Sequence, residues 1–227
     1  MKKKILIIED EVEIAQLLIR RLDSSLYEVS HEIDGAKALS LIQRERFDLA
    51  YVDVMLPSVD GLTLTQALRA KDKGSIILIV SALSADSDQL RAYNLGVDDY
   101  VAKPFSPKLL ATKIASLLSR RDEILPTNQS LPQGVSYDEM AKSISIKGNQ
   151  LPLTPSEYHI FLLLLQLPKK VFSREEITQH LYDCYYYEID TRGIDTHVYQ
   201  IRKKIALLSK ASIIKTVRNM GYTIDED

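Results

Sequence analysis

Only one cysteine, Cys184, occurs in the 227 residues. A single cysteine forms no intrachain disulfide, which suits a reducing compartment. It also has no evident base or helix start beside it to activate the thiol. Long apolar runs are missing too. The longest, Ile160-Phe-Leu-Leu-Leu-Leu165, is far too short to span a bilayer. The lysines at 2–4 precede only four apolar residues before two acids intervene, so no signal peptide is expected. These absences predict a cytoplasmic protein with no membrane partner. A surplus of one charge is lacking as well: 29 Lys+Arg stand against 31 Asp+Glu, and a net charge of −2 names no partner. His31, His159, His180 and His197 have no metal-ligand spacing. There are no internal repeats or low-complexity tracts.

What is present is enough chain for two ordinary domains. The first part alternates short β-rich runs with helical periods. Strands are expected at 5–8, 27–31, 49–53, 76–80 and 100–102, and helices at 11–22, 34–46, 61–71, 86–95 and 107–120. The run 76–80 is unbroken and apolar, as in a strand buried on both sheet faces. Gly96 is placed to cap the fourth helix. Five βα units predict an α/β fold with a parallel sheet and right-handed connections. Ligands of such sheets bind at the carboxyl ends of the strands, where the strand order reverses.

At those ends stand Glu9, Asp10, Asp53, Ser81 and Lys103. Carboxylates a few ångströms apart repel by roughly 3–4 kcal/mol per pair at an effective dielectric near 20. A hard divalent cation such as Mg²⁺ offsets that repulsion and keeps several waters, so few carboxylates suffice to hold it. Lys103 and the Ser81 hydroxyl can neutralise further oxygens of a phosphoryl group, and a carboxylate there can form an acyl phosphate. Acids after strands also cap loops and helix starts, and spacing alone leaves that plainer reading open.

Residues 3–121 resemble a response-regulator receiver domain. The features that carry the resemblance are Glu9-Asp10, Asp53 with Pro57 and Gly61, Ser81-Ala82, and Asp98-Asp99-Tyr100 before Lys103-Pro104-Phe105. It implies a CheY-like (flavodoxin-like), doubly wound, five-stranded parallel receiver. Asp53 would accept phosphate from a sensor histidine kinase. Glu9, Asp10, Asp53 and the Met55 carbonyl would hold Mg²⁺. Ser81 and Lys103 would contact the phosphoryl group, and Ser81 and Tyr100 would form a switch pair. A family dimer surface would include Asp98, Asp99, Leu109 and Lys113. Leu109 stands where the family usually has an acid, and Lys113 where it usually has an arginine.

Two prolines and a polar cluster from 120 to 132 read as a linker. The expected organisation is therefore a receiver over 1–121, a linker over 122–132 and a second domain over 133–227. In that second domain Ser143-Ile-Ser-Ile-Lys147 alternates with period two, and Gly148-Asn149 signals a turn. Thr154-Pro155-Ser-Glu157 has a Thr cap, Pro at the first helical position and Glu at the third. Helices are expected near 155–166, 173–181 and 192–209, then a hairpin over 213–224. Three helices and a terminal hairpin form a winged-helix α+β plan.

This domain has 12 basic and 12 acidic residues, yet residues 192–218 carry seven basic side chains against Asp195 alone. A basic stripe on a helix is the footprint of a DNA reader, although a solvated helix face has the same charge pattern. Ile194, Val198, Ile201, Ile205 and Leu208 form one apolar stripe. Arg192, Thr196, Tyr199 and Lys203 lie opposite it, flanked by Gln200 and Arg202, which predicts an exposed reading face. Asp195 is expected to orient Arg202.

The segment is similar to the winged-helix domain of the OmpR/PhoB group. The carriers are Leu153-Thr-Pro-Ser-Glu-Tyr158, Val171-Phe-Ser-Arg-Glu175, Thr191-Arg192, Asp195-Thr-His197, Ile201-Arg-Lys-Lys204 and Ile214-Lys-Thr-Val-Arg218 with Gly221-Tyr222. The resemblance implies double-stranded promoter DNA and a homodimer on activation, with RNA polymerase as a further candidate partner. Arg192, His197 and Arg202 would meet phosphates, Arg218 on the wing would enter the minor groove, and Thr216 and Tyr222 would belong to the same surface. Asn219 and Met220 stand where the wing turn usually has small residues, and Asn tolerates a left-handed conformation there.

Three other readings compete: a regulator that acts without phosphate, an aspartate-nucleophile phosphatase, and a protein-binding adaptor. The phosphatase would need a second acid two residues after the nucleophile, where Met55 stands. The expected protein is not a dedicated enzyme.

Overall fold

The computed structural model describes residues 2–83, 85–119, 131–132, 134–138, 141, 143–182, 191–210 and 212–224, without the side chain of Arg192. The expected linker, apart from residues 131 and 132, and Cys184 lie outside the described residues. The chain divides into two compact units, Met1–Ser119 and Arg120–Asp227.

In the first unit, strands β1 (Lys3–Ile8), β2 (Tyr27–Glu32), β3 (Leu49–Asp53), β4 (Ile76–Ser81) and β5 (Asp99–Ala102) alternate with helices α1 (Val12–Ile19), α2 (Gly35–Arg44), α3 (Gly61–Lys71), α4 (Asp86–Asn94) and α5 (Pro107–Ser119). All pairings are parallel, in the order β2-β1-β3-β4-β5. The order reverses between β1 and β3, the switch point of a doubly wound sheet. Helices cover both faces, so the central strands are apolar throughout: Ile5–Ile8 and Ile77–Val80 are fully buried. At about 1.5–3 kcal/mol for each large aliphatic side chain, this layer dominates the unit's stability.

Local chemistry sets the boundaries. Asp34 caps α2 by accepting from the Ala36 and Lys37 amides, and Asp60 caps α3 through Leu62 and Thr63. Gly96, at φ +86°, follows the end of α4 as its position suggested. The loop between β3 and α3 is stitched at both sides. Ser58 donates to Asp34 Oδ2 at 2.6 Å, and the Gly35 amide donates to the Pro57 carbonyl. A Cβ at Gly61 would sit 2.0 Å from the Asp53 carbonyl oxygen, and one at Gly35 would sit 2.1 Å from that of Val59. Neither position has room for a side chain.

The second unit opens with β6 (Val135–Asp138), β7 (Ser143–Ile146) and β8 (Asn149–Gln150), an antiparallel sheet. Helices α6 (Pro155–Gln166), α7 (Arg174–Tyr182) and α8 (Arg192–Leu208) follow, then the hairpin of β9 (Ile214–Val217) and β10 (Gly221–Ile224). The capping box at Thr154 and Glu157 is formed, and the buried Glu157 also pairs with Lys204, tying α6 to α8. Phe172 and Tyr222 exchange backbone hydrogen bonds at 2.8 and 2.9 Å, which adds a bridge to the hairpin. That approach requires Gly221, where a Cβ would sit 1.9 Å from the Phe172 carbonyl. Asn219 adopts φ +60° in the wing turn, as its tolerance for that region allows.

Candidate functional site

The register brings the acidic residues together. Ile8 pairs with Val52, so Glu9 lies one step on, beside Asp53. Carboxylate oxygens of Glu9, Asp10 and Asp53 all lie within 4.8 Å of one another. Glu9 is fully buried and Asp53 nearly so, while Asp10 is exposed. Lys103, just past β5, donates to Asp53 Oδ2 at 2.6 Å and to Glu9 Oε1 at 2.8 Å. The Met55 amide donates to Asp53 Oδ1 at 2.9 Å. Ser81 closes β4, fully buried, and its Oγ accepts from the Leu83 amide. Tyr100 is buried and donates to the Leu83 carbonyl.

The electrostatics follow from burial and pairing. Burial pushes the Glu9 carboxyl above the usual carboxylate range, opposed by the hydrogen bonds from Lys103 and Tyr51. Burial disfavours charge on Lys103, yet its hydrogen bonds to Asp53 and Glu9 outweigh that and hold the ammonium protonated well above its ordinary range. Burial raises the Tyr100 phenol. Three acids with carboxylate oxygens this close form a hard donor set, the kind that holds a divalent metal through few carboxylates.

Sequence reasoning missed Tyr51. Its hydroxyl donates to Glu9 Oε2 at 2.6 Å, and burial followed by that bond pushes its pKa far upward. Period-two alternation puts residues 51 and 53 of a strand on one face, which was the available signal. His31 was also missed as a neighbour: its Nε2 lies 2.9 Å from the Glu9 carbonyl.

The residues expected on a dimer surface separate into two kinds. Asp98 is fully buried inside the unit, where it accepts from Arg69 Nη2 at 2.8 Å and the Ile77 amide at 2.9 Å. It is therefore not a surface residue. Asp99 is also buried and pairs with Lys113 at 2.5 Å. Leu109 is 48% exposed.

Helix α8 likewise differs from the helical-wheel expectation. The stripe Ile194, Val198, Ile201 and Ile205 is buried, but so are Thr196, His197 and Gln200. The early turns of α8 are thus enclosed on more than one face, and Thr196 and Gln200 do not lie on an exposed one. Tyr199 (58% exposed) and Lys203 are exposed, and Arg202 is half-buried. On the hairpin Lys215, Thr216 and Arg218 are exposed. The side chain of Arg192 lies outside the described residues.

Asp195 does not serve Arg202. Its Oδ1 accepts from Arg174 Nε at 2.7 Å and from the Tyr222 hydroxyl at 2.6 Å. Arg202 instead donates to the Ile214 carbonyl at 2.9 Å and to Thr216 Oγ1 at 2.8 Å, fastening α8 to β9. Tyr222, expected at the DNA surface, is 4% exposed, with the guanidinium groups of Arg174 and Arg202 5.3 and 5.6 Å from its ring centre. Burial, then the bond to Asp195, pushes its phenol up to about 12.

A reversed-order parallel sheet with a lysine-clasped aspartate at its switch point, joined in one chain to three helices and a wing, defines a response regulator with a DNA-binding output. Comparison with known proteins agrees. The response regulator receiver domain matches residues 5–115, and the C-terminal domain of transcriptional regulatory proteins matches residues 148–224. The alkaline phosphatase synthesis transcriptional regulatory protein PhoP of Bacillus subtilis is 34% identical over 241 residues, covering 100% of this chain and 98% of that protein. The transcriptional regulatory protein BaeR of Escherichia coli is 34% identical over 99% of this chain and 93% of its own length. The response regulator DrrB of Thermotoga maritima, an OmpR/PhoB homologue, has a solved structure at 26% identity with a TM-score of 0.54, covering 99% of this chain and 100% of that one. The chain belongs to the OmpR/PhoB family of two-component response regulators.

Proposed function

We propose that Asp53 is the phosphoacceptor of this transcriptional regulator and that its phosphorylation drives dimerisation on promoter DNA. The observation that carries the reading is the clasp of Lys103 on both Asp53 and Glu9 at the sheet's switch point. A carboxylate oxygen of Asp53 forms the new P–O bond as the P–N bond of the histidine kinase's phosphoimidazole breaks, and the released imidazole recovers a proton. Lys103 is placed to neutralise a phosphoryl oxygen and Ser81 to donate to another. Glu9, Asp10, Asp53 and the Met55 carbonyl would hold Mg²⁺, which supplies charge neutralisation when bound. Ser81 and Tyr100 form the switch pair.

On the output side, Arg192, Tyr199, Lys203, Thr216 and Arg218 supply the DNA contacts, with Arg202 dividing its donors between the wing and a phosphate. Thr196, His197, Gln200 and Tyr222 support that surface from within. Leu109 and Lys113 contribute to the dimer face. The protein works in the cytoplasm, with a cognate kinase and DNA as partners and RNA polymerase as a further one. It is not a dedicated enzyme.

The test is to treat the wild type and Asp53→Ala with acetyl phosphate, or with beryllofluoride, in Mg²⁺. The wild type is expected to gain the phosphoryl group from acetyl phosphate, or to bind beryllofluoride as its mimic, then to dimerise and bind DNA more tightly, and the variant to do none of these. Identical behaviour of the two proteins refutes the reading.

A further inference from the structure

Apart from Asp53, Tyr51 is the only residue of β3 with a polar side chain, and it is fully buried. Its hydroxyl reaches Glu9 Oε2 at 2.6 Å. A carboxylate only accepts, so the phenol donates. The ring is wedged by Phe105, which meets it edge-on with centroids 6.5 Å apart. A tyrosine has few rotatable bonds, and this one is held by a strand buried along its whole length. The donor behind Glu9 is therefore stiff. The other Glu9 oxygen, Oε1, takes Lys103 at 2.8 Å, on the side where Asp53 also meets that ammonium. Glu9 thus has one oxygen tied back and one turned to the cluster.

That difference matters to a cation. Magnesium demands near-ideal octahedral geometry and takes single carboxylate oxygens with several waters. Calcium accepts six to eight oxygens and often takes both oxygens of one carboxylate. We infer that Tyr51 is a positioning residue that makes Glu9 a one-oxygen ligand and so favours Mg²⁺ over Ca²⁺ at this pocket. The inference rests on reading the acidic cluster as a divalent-cation site.

The experiment is calorimetric titration of the metal-stripped full chain with MgCl₂ and with CaCl₂, for wild type and Tyr51→Phe. The substitution keeps the ring and its contact with Phe105 and removes only the hydroxyl. Losing a partner that orients a metal ligand typically weakens binding about tenfold or more. Mg²⁺ affinity should fall by about that factor while Ca²⁺ affinity holds or improves. If the hydroxyl merely satisfies a buried carboxylate, its removal would lower the melting temperature of the metal-free protein and leave the Mg²⁺/Ca²⁺ ratio unchanged. An unchanged ratio overturns the inference, as does a wild type with no preference for Mg²⁺. If Tyr51→Phe does not melt cooperatively, Tyr51→Leu repeats the titration with a residue suited to a buried strand. A wild type that binds neither cation refutes the divalent-site reading itself.

Discussion

Lys103 stands 2.6 Å from Asp53, closer than any other charged group that meets this carboxylate among the described residues. The same ammonium reaches Glu9 at 2.8 Å, so one cation holds two buried acids. Replacing it leaves those acids facing each other and Asp10. Lys103→Met should lower stability by about 3 kcal/mol in chelator, because a buried charge loses its partner. Millimolar Mg²⁺ should recover part of the loss. Urea denaturation with and without the metal measures it, and a deficit that ignores Mg²⁺ contradicts the account.

Tyr222 gives the second unit a pH limit. Its phenol rises from an ordinary 10.0 to about 12 in the folded chain. The folded state then keeps a proton that the unfolded chain releases, so this contribution is complete below pH 10 and is lost as pH rises through about 12. Tyr222→Phe should be less sensitive to pH than the wild type across that window. Urea midpoints at stepped alkaline pH provide the comparison, and parallel curves for the two proteins would count against it.

The exposed and enclosed positions of α8 should behave differently on DNA. Lys203→Ala should weaken binding to any sequence and reduce the slope of log affinity against log salt by about 0.9, the share of one phosphate contact. Thr196→Ala, at a buried position, should change thermal stability and leave the salt slope intact. Fluorescence anisotropy across a salt series separates the two.

Leu109 should matter only to assembly. It is half exposed on α5, and the following turn carries the Lys113 that pairs with buried Asp99. Leu109→Ala should weaken the beryllofluoride-induced dimer by roughly fivefold, about 1 kcal/mol of lost apolar contact. Sedimentation equilibrium reads this directly, and the monomer's melting temperature should stay where it is.

Much of this fold was legible because its signals are local. The apolar run 76–80 announced a strand covered on both faces, and Thr154 with Glu157 announced a helix start. The pocket was legible for a related reason: strand ends in an α/β sheet converge, so Glu9, Asp53 and Lys103 could be assigned to one place. Strand β6 was not, since four residues after Pro132 are too few to establish a period. The burial of Thr196, His197 and Gln200 was not either. A helical wheel identifies the face that must be covered, but not what a distant part of the chain covers in addition. Asp98 shows the same limit. The family resemblance suggested a surface, and its meeting with Arg69, 29 residues earlier, and with the Ile77 amide puts it inside. Asp195 was expected to serve a neighbour on its own helix and instead serves Arg174 and Tyr222.

The loop after Asp53 is closed by two glycines whose missing methyl groups are replaced by backbone oxygens, at Gly35 and Gly61. Its length is therefore fixed as firmly as its ends. Diversification of this loop across descendants or designed libraries can proceed by substitution at outward positions such as Met55, 62% exposed, and Pro57. Insertions and deletions between residues 54 and 60 would break the close approaches of Gly61 to Asp53 and of Gly35 to Val59, so novelty here has to be spelled in side chains.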